Sequence, residues 1–156
     1  MYKRQFIYDA LFSALIVMTF IDIDTKEIPN GIVVFIIILS IPLFFTAKDV
    51  VWWHRLVGAV VISVPLYVIA LVTGGIGGGD IKLYFALGLV LGLYPTLVSA
   101  FIAIVSAGLI GGVLLLTKKV RKGYELPLGP FIALGAVVTV FAGTPIIDGI
   151  KNLFGI

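Results

Sequence analysis

Apolar residues along this chain come in long unbroken blocks separated by short polar or glycine-rich punctuation, not in the strict alternation of half-buried strands. The blocks cover about residues 5–21, 32–47, 56–73, 81–93, 96–116 and 128–141. Most approach the roughly 20 residues a helix needs to cross a bilayer at about 1.5 Å per residue. The pattern predicts an all-α polytopic membrane protein with about six transmembrane helices. The block at 81–93 is short and holds Gly88 and Gly92, and Tyr94-Pro95 reads as a tight turn into the next block. After Thr144 the apolar residues are interrupted by Asp148 and Lys151, which suggests a tail along the membrane interface. Lys3 and Arg4 precede the first block, but no small-residue cleavage site follows, so it reads as a first span and not as a signal peptide. With no internal repeat and no low-complexity linker, residues 1–156 are expected to form a single membrane-embedded domain.

Composition agrees with lipid as the solvent. Hydrophobic residues make up 61% of the chain and charged residues 12%, and the mean hydropathy is +1.22; soluble domains are about half apolar and about a quarter charged. Cysteine is absent, which rules out a disulfide framework, a thiolate metal site and a cysteine nucleophile. The formal net charge of +3 is small and scattered, which argues against nucleic-acid binding. Basic residues in such a chain are better read as orientation signals.

Counting spans places three connections on one side: Asp22 to Gly31, Gly74 to Asp80, and the basic segment Lys118 to Lys122. Lys26, Lys82, Lys118, Lys119, Arg121 and Lys122 then share a face, against Lys3, Arg4, Lys48, Arg55 and Lys151 on the other. The tight basic cluster favours the cytoplasm for the first face. On the opposite face, Lys48, Asp49, His54 and Arg55 form a short loop with Trp52-Trp53, a pair suited to the headgroup level.

Charged side chains at membrane depth cost about 2.5–3.5 kcal/mol each on insertion scales, so each one calls for a reason. Asp80 follows the run Gly74-Gly75-Ile76-Gly77-Gly78-Gly79 and directly precedes an apolar block. Glycines there permit positive φ, remove side-chain bulk and admit another chain segment beside the carboxylate. Irregular backbone at that depth is tolerated where it lines a wet cavity, and the simpler alternative is an ordinary helix cap. Asp22 lies at the inner end of the first block, before a segment stiffened by Pro29-Asn30. Asp24 and Glu27 are close by, but residues two apart share no helical face, so Asp22 and Asp24 cannot act side by side on one helix. Asp22 and Asp80 together form a candidate dyad: two carboxylates close together in low dielectric share a proton and divide the roles of general base and general acid. His54, the one histidine, falls on the opposite face, so neither a histidine base nor a metal cluster is expected. Two other classes remain open on the residues alone. A small ion-coupled transporter or channel also uses buried carboxylates and broken helices, although it would predict an internal repeat. An assembly subunit would use the glycines for helix packing, but it leaves the two aspartates without a purpose.

Three segments in order resemble the type IV prepilin peptidases and archaeal preflagellin peptidases, aspartyl proteases of the Gly-x-Gly-Asp kind. They are Phe20-Ile21-Asp22-Ile23-Asp24-Thr25-Lys26-Glu27-Ile28-Pro29-Asn30, Gly77-Gly78-Gly79-Asp80-Ile81-Lys82-Leu83 and Leu126-Pro127-Leu128-Gly129-Pro130-Phe131-Ile132-Ala133-Leu134-Gly135-Ala136. The resemblance implies that Asp22 and Asp80 are the catalytic pair, with Gly77, Gly79, Lys82, Asp24, Pro29, Asn30 and Pro130 in support and no cofactor or metal. It implies a multi-pass protein of a prokaryotic cell membrane. The implied reaction is removal, at the cytoplasmic face, of the short basic leader from a membrane-anchored prepilin, pseudopilin or preflagellin-like substrate, with Asp24 and Glu27 attracting that leader. Larger bacterial members add paired Cys-x-x-Cys motifs and methylate the new N-terminus; the sequence looks like the compact, peptidase-only form, and methylation is not expected of it. Presenilin-type proteases share Gly-x-Gly-Asp, but their Tyr-Asp pairing is not matched, since Tyr8-Asp9 lies at the wrong end of the first block.

Overall fold

The computed structural model describes residues 2–46, 50–74, 76–118 and 126–154. Lys48, Asp49, Gly75, the basic segment from Lys119 to Lys122 and the last two residues lie outside the described residues. Among the described residues six helices follow one another: α1 (Tyr2–Thr25), α2 (Asn30–Thr46), α3 (Trp52–Thr73), α4 (Gly78–Leu91), α5 (Leu93–Leu116) and α6 (Gly129–Phe154). The chain is an all-α polytopic membrane protein. Parts of α1, all of α3 and all of α5 are each long and apolar enough to cross a membrane, and α2 and α6 contain shorter apolar stretches. Their outward faces carry Ile16, Phe20, Val64, Val72, Phe101 and Leu109, an exterior that is stable against acyl chains and not against water.

Several boundaries differ from those read in the sequence, each for a local reason. Helix α1 runs on through Asp22 and Asp24, because the backbone keeps its hydrogen bonds until Lys26 adopts the left-handed conformation (φ 56°), its N–H bonded to the Asp22 carbonyl at 2.8 Å. The tryptophan pair belongs to the first turn of α3, not to a loop. Gly78, Gly79 and Asp80 are already helical, so the glycine run is only partly irregular. Tyr94-Pro95 is no turn. Gly92, at φ 85°, breaks the chain direction alone, and Pro95 sits in the first turn of α5, where its missing N–H is no loss. Helix α6 continues through Pro145 to Phe154, so the expected tail is no separate element.

Helix α4 is the hub, packed against α2, α3, α5 and α6, while α1 joins α2 and α6. The core gathers Leu11, Leu15 and Met18 of α1, Ile36 and Leu43 of α2, Leu83, Leu87 and Val90 of α4, and Ile132 and Ala136 of α6. Phe12 stacks on Phe141 at 5.5 Å, tying α1 to α6. In lipid the hydrophobic effect does not draw helices together, so close backbone approach has to do it. Two crossings supply that approach: Gly88 of α4 lies on the Gly58 backbone of α3, and Gly135 of α6 lies on the Ser99 carbonyl of α5.

Arg55 was expected in a loop, and instead it is buried in α3 with 2% exposure. Its Nη1 donates to the Leu89 and Val90 carbonyls at 3.0 and 2.6 Å, and its guanidinium lies 5.9 Å from the centre of the Phe44 ring. These are carbonyls of the last turn of α4, which have no partner inside the helix, and a cation is the favourable group there. Ser-sized or charged replacements at Gly88 have no room. Gly88→Ala is expected to destabilise the detergent-solubilised protein by about 1–3 kcal/mol through overpacking. Gly112→Ala, where nothing lies within 4 Å of the added methyl, serves as the control and should leave the melting temperature unchanged or higher.

Candidate active site

Up-and-down packing brings the end of α1, the connector to α2 and the start of α4 to one end of the bundle. They enclose a cavity of about 270 Å³ lined by Asp22, Lys26, Glu27, Ile28, Asn30, Gly77, Gly78, Gly79, Asp80 and Lys82. Both aspartates are buried, at 4% and 8% exposure, which is unusual for carboxylates and requires donors.

Asp22 continues the buried stripe of α1 that passes through Ile7, Leu11, Leu15 and Met18, so a carboxylate occupies what would be the next core position. Its Oδ2 accepts the Gly129 N–H at 2.8 Å. Gly129 is the first residue of α6, and the first-turn N–H groups of a helix have no partner of their own. The positive end of the α6 dipole thus meets Asp22 from a helix far away in sequence. A methyl group on Gly129 would lie 2.6 Å from that Oδ2 and 2.8 Å from the Met18 Sδ.

Asp80 is held by its own helix. Gly77 is the N-cap of α4 and Asp80 the third residue after it; the Asp80 N–H bonds the Gly77 carbonyl at 3.1 Å, and its carboxylate accepts the Gly77 N–H in return. This is the back-reaching half of a capping box. Asp22 is close enough for its charge to act on Asp80.

The glycines serve close approach more than unusual φ. Gly77 is extended at φ −66°, and in the described part of the run only Gly74 is left-handed, at φ 64°. Gly79 matters because Ile28 of the connector lies on it: an added methyl would stand 2.8 Å from the Ile28 Cβ. Pro29 caps α2, its carbonyl receiving the Ile32 and Val33 N–H groups at 3.1 and 3.4 Å. Asn30 Oδ1 accepts from the Lys82 Nζ at 3.1 Å, which closes the connector onto α4.

Of the residues singled out in the sequence, Asp22, Asp80, Gly77, Gly79, Lys82 and Asn30 line the cavity, and Pro29 anchors its wall. Asp24 does not line it: two residues past Asp22, and so turned about 200° from the buried stripe, it is exposed on α1. Pro130 stands in the first turn of α6 without lining it either; the residue of that segment that touches the dyad is Gly129. His54 lies at the far end of α3, its ring 4.0 Å from Trp53 and 6.0 Å from Tyr94. Among the described residues no group of three or more His, Cys, Asp or Glu is arranged to hold a metal ion. Sequence reasoning missed Gly129 and the packing partner Ile28; the third segment quoted above contained Gly129, but nothing in its spacing shows which N–H faces Asp22.

Gly129→Ala is expected to push the Asp22 carboxylate and Met18 aside and to destabilise the detergent-solubilised protein by about 1–3 kcal/mol through overpacking. Its melting temperature, compared with that of Gly112→Ala, checks this.

A model of the type IV leader peptidase family matches residues 10–112. The chain is 36% identical over 138 residues to a prepilin leader peptidase/N-methyltransferase of Bacillus subtilis, covering 87% of this chain and 55% of that protein. Proteins of the same name from Burkholderia pseudomallei and Neisseria gonorrhoeae are each 32% identical, covering 86% and 77% of this chain and 46% and 43% of their own lengths. The chain thus spans about half the length of the relatives it matches. No solved structure matches it. Three ordered segments, two buried carboxylates at one cavity and the family match coincide: the chain belongs to the type IV leader peptidase family.

Proposed function

We propose that this chain is an aspartyl endopeptidase acting as one membrane-embedded unit. It removes the short basic leader from membrane-anchored type IV prepilin, pseudopilin or preflagellin-like substrates at the cytoplasmic face. The observation that carries this reading is the pair of buried carboxylates, Asp22 and Asp80, facing one cavity at one end of the bundle. One carboxylate takes a proton from water as it attacks the scissile carbonyl. The other, holding the shared proton, gives it to the departing amide nitrogen. Backbone N–H groups from Gly129 and Gly77 help to hold the two carboxyls in place, one donor to each. Glu27, exposed at the cavity wall, is placed to meet a basic leader residue, a role for which Asp24 is less well positioned.

The orientation rests on charge. With Arg55 buried against α4, the far face is left with Lys3, Arg4, Lys48 and Lys151, and the balance of loop cations shifts further toward the side of Asp22 and Asp80. The natural sequence contains no cysteine, so single cysteines can report the side directly. In intact spheroplasts an impermeant thiol reagent should label Trp52→Cys, whereas Thr117→Cys should be labelled only after permeabilisation. The reverse pattern would place the cavity outside.

Cleavage of a tagged prepilin-like substrate in membranes tests the chemistry. Asp22→Ala and Asp80→Ala are each expected to abolish cleavage, a loss of at least about a thousandfold, while Asp24→Ala retains it at matched expression. Wild-type cleavage by either of the first two variants would remove that residue from the mechanism.

A further inference from the structure

Tyr84 stands one helical turn beyond Asp80 on α4 and is buried, at 4% exposure. Among the described residues its hydroxyl has no hydrogen-bond partner. A phenol in that position is costly, because a buried O–H gives up water and gains nothing in return. Phenylalanine would fill the same volume in the core without that loss, so the hydroxyl needs another reason to be there.

Helix geometry supplies the direction. Residues i and i+4 share a face, and side chains on a helix lean toward its N-terminus, so a long side chain at position 84 covers the turn that begins at Asp80. The two groups are within electrostatic reach of one another. Asp80 has one backbone donor, from Gly77, and a carboxylate has room for several. An unpaired donor and an under-supplied acceptor therefore lie on the same face of the same short helix.

On the proteolytic reading above, we propose that Tyr84 is a positioning residue for the reaction, its phenol donating a hydrogen bond to the Asp80 carboxyl in the substrate-engaged state. When substrate fills the cavity and the dyad closes, the phenol holds the carboxyl oxygen that faces away from Asp22. The inner oxygen is then left for water and the shared proton. Because the bond is made in the engaged state, its loss is read in turnover and not in substrate affinity.

The test compares Tyr84→Phe with wild type and Asp80→Ala in one assay, measuring kcat, KM and melting temperature in detergent with a prepilin-like peptide substrate. The expected result is a fall in kcat of about tenfold or more for Tyr84→Phe, the loss of one hydrogen bond to a charged group. KM should be unchanged, and the melting temperature equal or higher because a buried orphan hydroxyl has been removed. Wild-type kcat for Tyr84→Phe, with Asp80→Ala inactive, overturns the role of Tyr84 and leaves the protease reading standing. A fall in kcat that tracks an equal loss of melting temperature also overturns it, since the hydroxyl would then serve packing. Activity in Asp80→Ala would instead overturn the protease reading on which this inference rests.

Discussion

A carboxylate taken out of water has to find donors, and in an apolar bundle almost the only donors on offer are the unpaired N–H groups at helix starts. Asp22 and Asp80 both use them. Asp80 reaches back to the N-cap of the helix it stands on, while Asp22 takes the first N–H of α6 from the other end of the sequence. Each aspartate thereby sits at the positive end of a helix dipole, which offsets part of the cost of burial and opposes the repulsion between the two charges. The consequence for the fold is strict: α4 and α6 must both begin at the depth of the cavity, and α1 must end there.

That requirement explains the oddest helix in the molecule. At 14 residues α4 is about 21 Å long, shorter than the roughly 30 Å of hydrocarbon it lies in. With its N-terminus committed to the cavity, its last carbonyls stop inside the protein, where water does not reach them. Arg55 answers this by carrying donors to Leu89 and Val90. The arginine reaches them because α3 runs directly along α4, and it runs there because Gly58 and Gly88 present no side chains to each other. A buried cation at one end of α4 is thus the counterpart of a buried anion at the other, and the glycine crossing between them sets the level of both.

Much of this was legible in the residues. Block lengths were enough for the helix count and for the side of the membrane each connection shares, and the stripe through Leu11, Leu15 and Met18 separates Asp22 from Asp24 once α1 is known to continue. Where α1 would stop was not legible, because Lys26 ends it in a backbone conformation for which lysine has no special preference. Arg55 was misread for a similar reason: hydropathy puts an arginine at a loop, and only the short reach of α4 creates a place for it inside. Gly129 was hidden because its role belongs to an N–H, which every residue but proline possesses. The composition of a segment shows which side chains are present, not which backbone groups are left unpaired.

The spacing of the first segment follows from the same geometry. After Asp22 the helix needs one more turn to satisfy the Asp22 carbonyl through the Lys26 N–H, and the chain then reverses at once. The reversal sets Ile28 on Gly79, Pro29 on the start of α2 and Asn30 on Lys82, so the connector is pinned at Ile28 and Asn30 to the helix that carries Asp80. The stretch from Asp22 to Asn30 and the stretch from Gly77 to Lys82 are therefore two halves of one contact. Substitution of Gly79 by a larger residue would lift Ile28, and with it the wall that keeps the dyad from open water. Of the two glycines before Asp80, Gly79 seats this connector and Gly77 leaves room for the Asp80 carboxylate, and neither is a hinge, since neither takes a positive φ.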